Sequence, residues 1–212
     1  MNETGILVRQ SRDGGRSMAQ AIRPDAQESI RPLEDQIREC FGRVVYSHKA
    51  HEKTADIYVR RLGLIKLAQI GLAAVTTGGI VLVLFGSPEN SKAAAVISAL
   101  LSTILLVLNS YNKDIDLEQI AERHKEIAAR LWNIRESYLS ILTDIHVGLA
   151  SIEEIRNRRD TLQSELAAIY SAAPRTLDAA YKKAGIALKQ NEELTFSEAE
   201  IDKFLPQALR RS

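Results

Sequence analysis

The chain has 212 residues and a nearly balanced charge, with 28 Lys and Arg against 27 Asp and Glu. A net charge of +1 argues against the basic surface that direct nucleic-acid binding requires. The single cysteine, Cys40, excludes an internal disulfide and a cysteine-based zinc site. Aromatic residues make up only 5% of the chain, which favours helices over sheets.

The first part of the chain, residues 1–31, is polar, and we expect it to be disordered because it has few apolar side chains to bury. It lacks the sustained apolar run of a cleavable signal peptide, so membrane insertion is expected to depend on an internal segment. Pro32 suits the first position of a helix, and apolar residues at helical spacing follow it. The pattern predicts an N-terminal cytoplasmic helix over residues 32–66.

Two uncharged apolar stretches follow, over about residues 67–86 and 93–111. As helices rising ~1.5 Å per residue, each is long enough to cross the hydrocarbon core of a bilayer. A buried hairpin in a soluble bundle is the alternative, but both stretches are apolar all round and little chain is left to enclose them. The sequence predicts a transmembrane hairpin over residues 67–111, with its polar connection, 87–92, outside.

Basic residues indicate how this hairpin is oriented. They are frequent on both flanks, whereas the connection contains only Lys92. Cytoplasmic loops carry an excess of Lys and Arg, so both long flanks, and therefore both termini, are expected in the cytoplasm. The flanking basic residues nearest the spans are Lys49, Lys53, Arg60, Arg61 and Lys66 before the hairpin and Lys113, Arg123, Lys125 and Arg130 after it.

Neutral polar residues within the spans allow two interpretations, close helix packing or the lining of a water-filled path in an oligomer. Ala74 and Gly78 form a small pair at a spacing that favours close packing. Neither span contains Asp, Glu, Lys, Arg or His, which argues against a proton- or ion-coupled transporter. The candidate pore-lining or packing residues are Gln69, Thr76, Ser98, Ser102 and Asn109.

Residues 112–173 show apolar residues repeating at intervals of three and four, which predicts cytoplasmic heptad helices. Gly148 interrupts the repeat, and Ser151 with Glu154 has the pattern of a capping box, so a break near 148–151 is expected. The seam needs a facing helix, either from the same chain or from another subunit. It comprises Ile120, Ile127, Leu131, Ile134, Tyr138, Ile141, Ile155, Leu162, Leu166 and Ile169.

The rest of the chain, residues 174–212, predicts short C-terminal helices, one of which begins at a capping box formed by Ser197 and Glu200.

Among possible metal ligands, His48, His51 and Glu52 would share one face of a helix. Their order differs from the His-Glu-x-x-His motif of zinc proteases, so they are only a weak candidate metal site. No catalytic motif and no cofactor motif is present, and we expect the chain not to be an enzyme.

The order of elements resembles a known family. Arg43–Arg61 precedes the spans, the heptad segment from Leu108 to Ile145 follows them, and the segments Ser151–Ala184 and Glu200–Pro206 come last. This layout is similar to the SLATT domain, the two-transmembrane effector associated with SMODS nucleotidyltransferases and SLOG sensors. The resemblance covers roughly residues 35–206 and implies an all-α membrane protein, a hairpin flanked by long amphipathic and coiled-coil helices.

The resemblance also implies a function. Such proteins are thought to act in bacterial anti-phage and conflict systems, where they oligomerise and permeabilise the inner membrane. The expected partners are the lipid bilayer, further copies of the chain and a separate trigger, either a nucleotide signal or a nucleotidyltransferase, SLOG-type or reverse-transcriptase-like protein. Two alternatives stay open: a non-catalytic inner-membrane adaptor that anchors a partner through its coiled-coil arm and, more remotely, a metal-dependent membrane enzyme using His48 and His51.

Overall fold

The computed structural model describes residues 24–211, without the side chains of residues 24–29 and 88–90. It contains no strand in this part of the chain, and the predicted all-α architecture with a two-helix hairpin is confirmed. In chain order the helices are α1 (Pro24–Phe85), α2 (Pro88–Asp114), α3 (Leu117–Val147), α4 (Ile152–Ala172), α5 (Asp178–Lys189) and α6 (Glu198–Phe204), followed by a 3-10 turn over Gln207–Leu209.

Helix α1 is a single rod that includes both the predicted cytoplasmic helix and the first apolar stretch. It begins earlier than predicted, because Pro24 rather than Pro32 occupies its first position, and Pro32 lies inside the helix. Residues 24–31 are therefore helical, whereas the rest of the predicted disordered segment, residues 1–23, lies outside the described residues.

The hairpin connection is shorter than the predicted 87–92. Only Gly86 and Ser87 separate α1 from α2, and Pro88 stands in the first turn of α2. Proline there loses no helical hydrogen bond, and its fixed φ suits the helix. Pro88 therefore starts the second helix instead of forming a turn.

The hydrophobic core forms where α3 packs along the first half of α1. Ile37 and Val44 of α1 and Leu131 and Tyr138 of α3 are fully buried, as is Ile155 of α4. The helix that faces the heptad seam is thus α1 of the same chain. Of the predicted seam residues, eight are buried and two are partly exposed, the two being Ile120 and Leu166.

Helix α4 folds back against α3 after a sharp turn. Gly148 has φ 72° and ends α3 in the left-handed conformation, and the Ser151 hydroxyl accepts a hydrogen bond from the Glu154 backbone N–H at 3.2 Å. The antiparallel course follows from contacts at both ends. Arg158 pairs with Asp144 near the turn, and Arg123 reaches the backbone oxygen of Ala172 at 3.4 Å.

Helix α5 packs on α1 through a face of buried alanines, Ala180, Ala184 and Ala187. Further along, Ser197 and Glu200 form both hydrogen bonds of a capping box at the start of α6. Helix α5 therefore returns to the half of α1 that precedes the apolar span.

Candidate functional site

The outer surface of the hairpin is almost entirely apolar. Large side chains on both helices are more than half exposed, including Leu67 and Leu84 on α1 and Leu100 and Leu106 on α2. An apolar surface of this extent is unusual on a soluble monomer. Both helices contain a segment long and apolar enough to cross a membrane, and hardly any of either segment is buried within the protein.

Polar groups inside the hairpin mostly bond to each other or to the backbone. The Gln69 side-chain amide donates to Asn109 Oδ1 across the two helices at 2.8 Å. Thr76 and Ser98 are buried, and the Thr76 hydroxyl donates to the Leu72 backbone oxygen at 2.8 Å. Ser102 is exposed. Gln69, Thr76, Ser98 and Asn109 therefore lie toward the contact of the two helices or bond across it, but Asn109 is exposed, as Ser102 is.

At Gly79 the two helices of the hairpin leave no room for a side chain. A Cβ at this position would lie 2.1 Å from Ser98 Oγ. The predicted small pair lies elsewhere, because Ala74 is exposed and a Cβ on Gly78 would meet no atom within 4 Å. The two neighbouring glycines look alike in the sequence, and only the rotation of α1 against α2 distinguishes them.

Below the hairpin, three buried histidines lie between α1 and α3. The Nδ1 atoms of His51 and His124 are 2.9 Å apart, so one ring donates a proton and the other accepts it. His48 Nδ1 lies 2.9 Å from the backbone oxygen of Ala128. Because a carbonyl oxygen only accepts, His48 carries its hydrogen on Nδ1. The ring of Tyr58 stacks on His124 with centroids 5.9 Å apart.

Burial keeps the facing histidines neutral. It lowers the pKa of His51 to about 4, and the nearby His124 and His48 lower it further in the same direction. Burial also lowers the pKa of His124. At neutral pH the pair therefore has one shared hydrogen bond and no charge.

The weak candidate metal site is divided between different partners. His51 faces His124, whereas Glu52 accepts from Lys49 Nζ at 2.8 Å and lies 3.6 Å from His48 Nε2. No group of three His, Cys, Asp or Glu side chains in residues 24–211 is arranged to hold a metal ion. These residues contribute to helix packing and to a charge network.

That charge network contains a residue that the sequence analysis missed. Glu193, in the segment after α5, pairs with Lys49 at 2.8 Å and with Lys53 at 3.1 Å. Hydrogen bonds from the two lysines lower its pKa to about 2. For Lys49, burial lowers the pKa, but the bonds to Glu193 and Glu52 outweigh it and the pKa is raised. Nothing in the local sequence marks Glu193, because its partners lie on α1.

The comparisons with known proteins give one family. Searches of curated proteins and of solved structures give no match. The sequence does match the family described as SMODS and SLOG-associating 2TM effector domain family 4, over residues 33–200. This range includes nearly all of α1, the whole hairpin and the helices that pack beneath it. On this match, which agrees with the two apolar helices, the chain belongs to the SLATT family of two-transmembrane effectors.

Proposed function

We propose that this SLATT protein is an anti-phage effector that oligomerises in the bacterial inner membrane and permeabilises it when triggered. Family membership implies a membrane effector of a conflict system. The proposal adds assembly, permeation and a trigger, which is a separate sensor protein or a nucleotide signal. In this proposal the chain acts by conformational change, without catalysis and without a cofactor.

The observation that carries the proposal is the continuity of α1. The same helix holds the buried residues of the cytoplasmic core, such as Ile37 and Val44, and then becomes the first apolar span. A helix transmits rotation or tilt along its length, so a change in how α1 packs on α3 would move the span. A trigger needs only to bind one packing arrangement more tightly than the other to shift the population.

The polar residues of the hairpin suggest what the two states are. For the resting state we propose that Gln69 and Asn109 keep the hydrogen bond that joins their side chains. In the conducting state we propose that the helices rotate in an oligomer, so that these groups and Ser102 face water. Polar side chains within a bilayer must stay hydrogen-bonded. The Gln69–Asn109 hydrogen bond can therefore be replaced by bonds to water only if neighbouring subunits enclose that water.

The orientation of the hairpin in the membrane is tested with two variants, each of which has one new cysteine. Native Cys40 is buried, with 5% of its surface exposed, and gives little background. We expect Ser87→Cys to be labelled in whole spheroplasts by a membrane-impermeant maleimide, whereas Ser212→Cys is labelled only after lysis. The opposite pattern would place the termini outside and contradict the proposed topology.

Permeation is tested with a voltage-sensitive dye in bacteria that express the chain, with and without a candidate sensor protein and phage. We expect triggered depolarisation in the wild type and its loss in Ser102→Leu. The matched control is Ser110→Leu, the same change at another exposed position of α2. Inserted protein that captures the sensor while the potential stays intact under all conditions would favour the adaptor alternative.

A further inference from the structure

A cleft of about 650 Å³ opens on the cytoplasmic helices, between α1, the end of α4 and the beginning of α5. Its volume falls within the range of ~300–1,000 Å³ that is typical of small-molecule sites. Its chemically distinctive lining residues are Tyr46, His51, Tyr170, Arg175, Asp178 and Tyr181. Apart from His51, which the sequence offered as a weak candidate metal ligand, none of them belongs to a site described above.

Aromatic side chains are concentrated at this cleft. The chain has six tyrosines, and three of them, Tyr46, Tyr170 and Tyr181, line it. Tyr170 and Tyr181 are 41% and 55% exposed. The Tyr181 ring contacts that of Tyr46 at a centroid distance of 4.7 Å, and the Tyr170 hydroxyl donates to Ser47 Oγ at 3.0 Å, so the rings are held in place with part of their faces open. Stacking on such rings is how proteins hold a planar base, largely regardless of its identity.

The polar groups of the cleft complement the rest of a nucleotide. Arg175 is exposed and makes no ion pair within residues 24–211, so its guanidinium is available to a phosphate. Helix α5 begins at the cleft without a side-chain cap hydrogen bond, but Asp178 already places a carboxylate in its first turn, so the phosphate is assigned to Arg175. Asp178 supplies a carboxylate that can accept hydrogen bonds from sugar hydroxyls.

One buried polar side chain also reaches the cleft. His51 is only 4% exposed and uses Nδ1 for the contact with His124, while its Nε2 makes no hydrogen bond within the described part of the chain. A ligand atom at this position would bond to a ring that is already fixed against α3.

From this arrangement we propose that the cleft binds a free nucleotide and that its occupancy biases the packing of α1 on α3. The second part rests on the proposed function, because it makes the nucleotide the trigger of the hairpin. A lipid headgroup is too far away to supply the phosphate that binds in this cleft. At ~1.5 Å per residue, Tyr46 lies roughly 30 Å along α1 from the first apolar span.

Binding is tested by calorimetry on the full chain in detergent, with AMP, GMP, CMP and UMP as probes and with adenosine and inorganic phosphate as the two halves of one probe. We expect at least one nucleotide to bind, and to bind more tightly than either half. Arg175→Ala should weaken that binding about tenfold, since it removes a charged hydrogen bond. Tyr181→Ala should weaken the nucleotide and adenosine alike.

The matched control is Arg156→Ala, which removes another exposed arginine, on α4, without an ion pair in the described residues. It should bind as the wild type does. No heat from any of the four nucleotides at millimolar concentration, or equal weakening by Arg156→Ala and Arg175→Ala, would overturn the site.

A second measurement separates this site from the proposed permeation. Dye release from liposomes that contain the full chain is compared with and without the nucleotide that binds. We expect release that depends on the nucleotide in the wild type and not in Arg175→Ala. Binding without any effect on release would overturn the trigger role alone, whereas nucleotide-independent leak lost in Ser102→Leu would support the pore and not the trigger.

Discussion

At the scale of single residues, the histidine pair predicts how stability depends on pH. In the unfolded chain His51 takes up a proton near its ordinary pKa of 6.5, whereas in the folded chain it does so only at about 4. The unfolded state therefore binds more protons between these values, and stability falls as pH decreases from 6.5 to 4. At ~1.4 kcal/mol per pKa unit, the loss is on the order of 3 kcal/mol.

This dependence is measured by denaturant unfolding of the protein in detergent from pH 7.5 to pH 4.5. His51→Gln should flatten the slope, and His146→Gln, which changes an exposed histidine on α3, should leave it as it is. The stability that Glu193 provides is lost only as pH falls below 4.5, so it does not interfere in this range. An unchanged slope in His51→Gln would contradict the neutral pair.

A second residue-scale prediction concerns the two adjacent glycines of the first span. Gly79→Leu should destabilise the hairpin by roughly 1–3 kcal/mol, because the new side chain would overlap Ser98. Gly78→Leu adds the same atoms on the open side and should be near neutral. Detergent-induced unfolding followed by circular dichroism measures both, and equal effects would mean that α1 is rotated relative to this structure.

At the scale of elements, the turn between α3 and α4 depends on one backbone conformation. Gly148 has φ 72°, which a side chain with a Cβ rarely adopts, so Gly148→Ala should cost about 1 kcal/mol. Gly42→Ala makes the same change at an exposed position inside α1, where a Cβ meets nothing within 4 Å. The Gly42→Ala protein should be more stable than the wild type by ~0.5–1 kcal/mol. The thermal unfolding temperature should therefore fall for Gly148→Ala and rise for Gly42→Ala.

The elements also show which features a sequence pattern can predict. The heptad spacing around Leu131 and Tyr138 correctly marks a buried face, because periodicity alone decides which residues share a side of a helix. It does not indicate what covers that face, and the covering helix lies some 80 residues earlier, as the contact of His48 with Ala128 shows. For the same reason no local pattern reveals Glu193 or the cleft at Arg175. The predicted connection over residues 87–92 included Pro88, because proline suits both a turn and a helix start.

At the scale of the whole molecule, the two apolar spans are connected to the hydrophobic core in different ways. The first span continues α1 without a break, whereas the second is separated from α3 by Ile115 and Asp116. Asp116 caps α3 by accepting from the Gln119 backbone N–H at 2.9 Å. The first connection is stiff and the second can bend, so we expect signals to reach the hairpin through α1.

Gly63 lies at this stiff connection, next to buried Leu62 and just before the apolar span, and a Cβ there would meet no atom within 4 Å. Gly63→Pro should break α1 locally, because proline removes a helical hydrogen bond and clashes with the preceding turn at a cost of ~3 kcal/mol. Gly63→Ala should stiffen it. We expect both variants to insert and to keep the cytoplasmic fold, but only Gly63→Ala to depolarise cells when triggered. Full triggered depolarisation in an inserted Gly63→Pro protein would show that α1 does not transmit the signal and would shift that role to the α2–α3 connection.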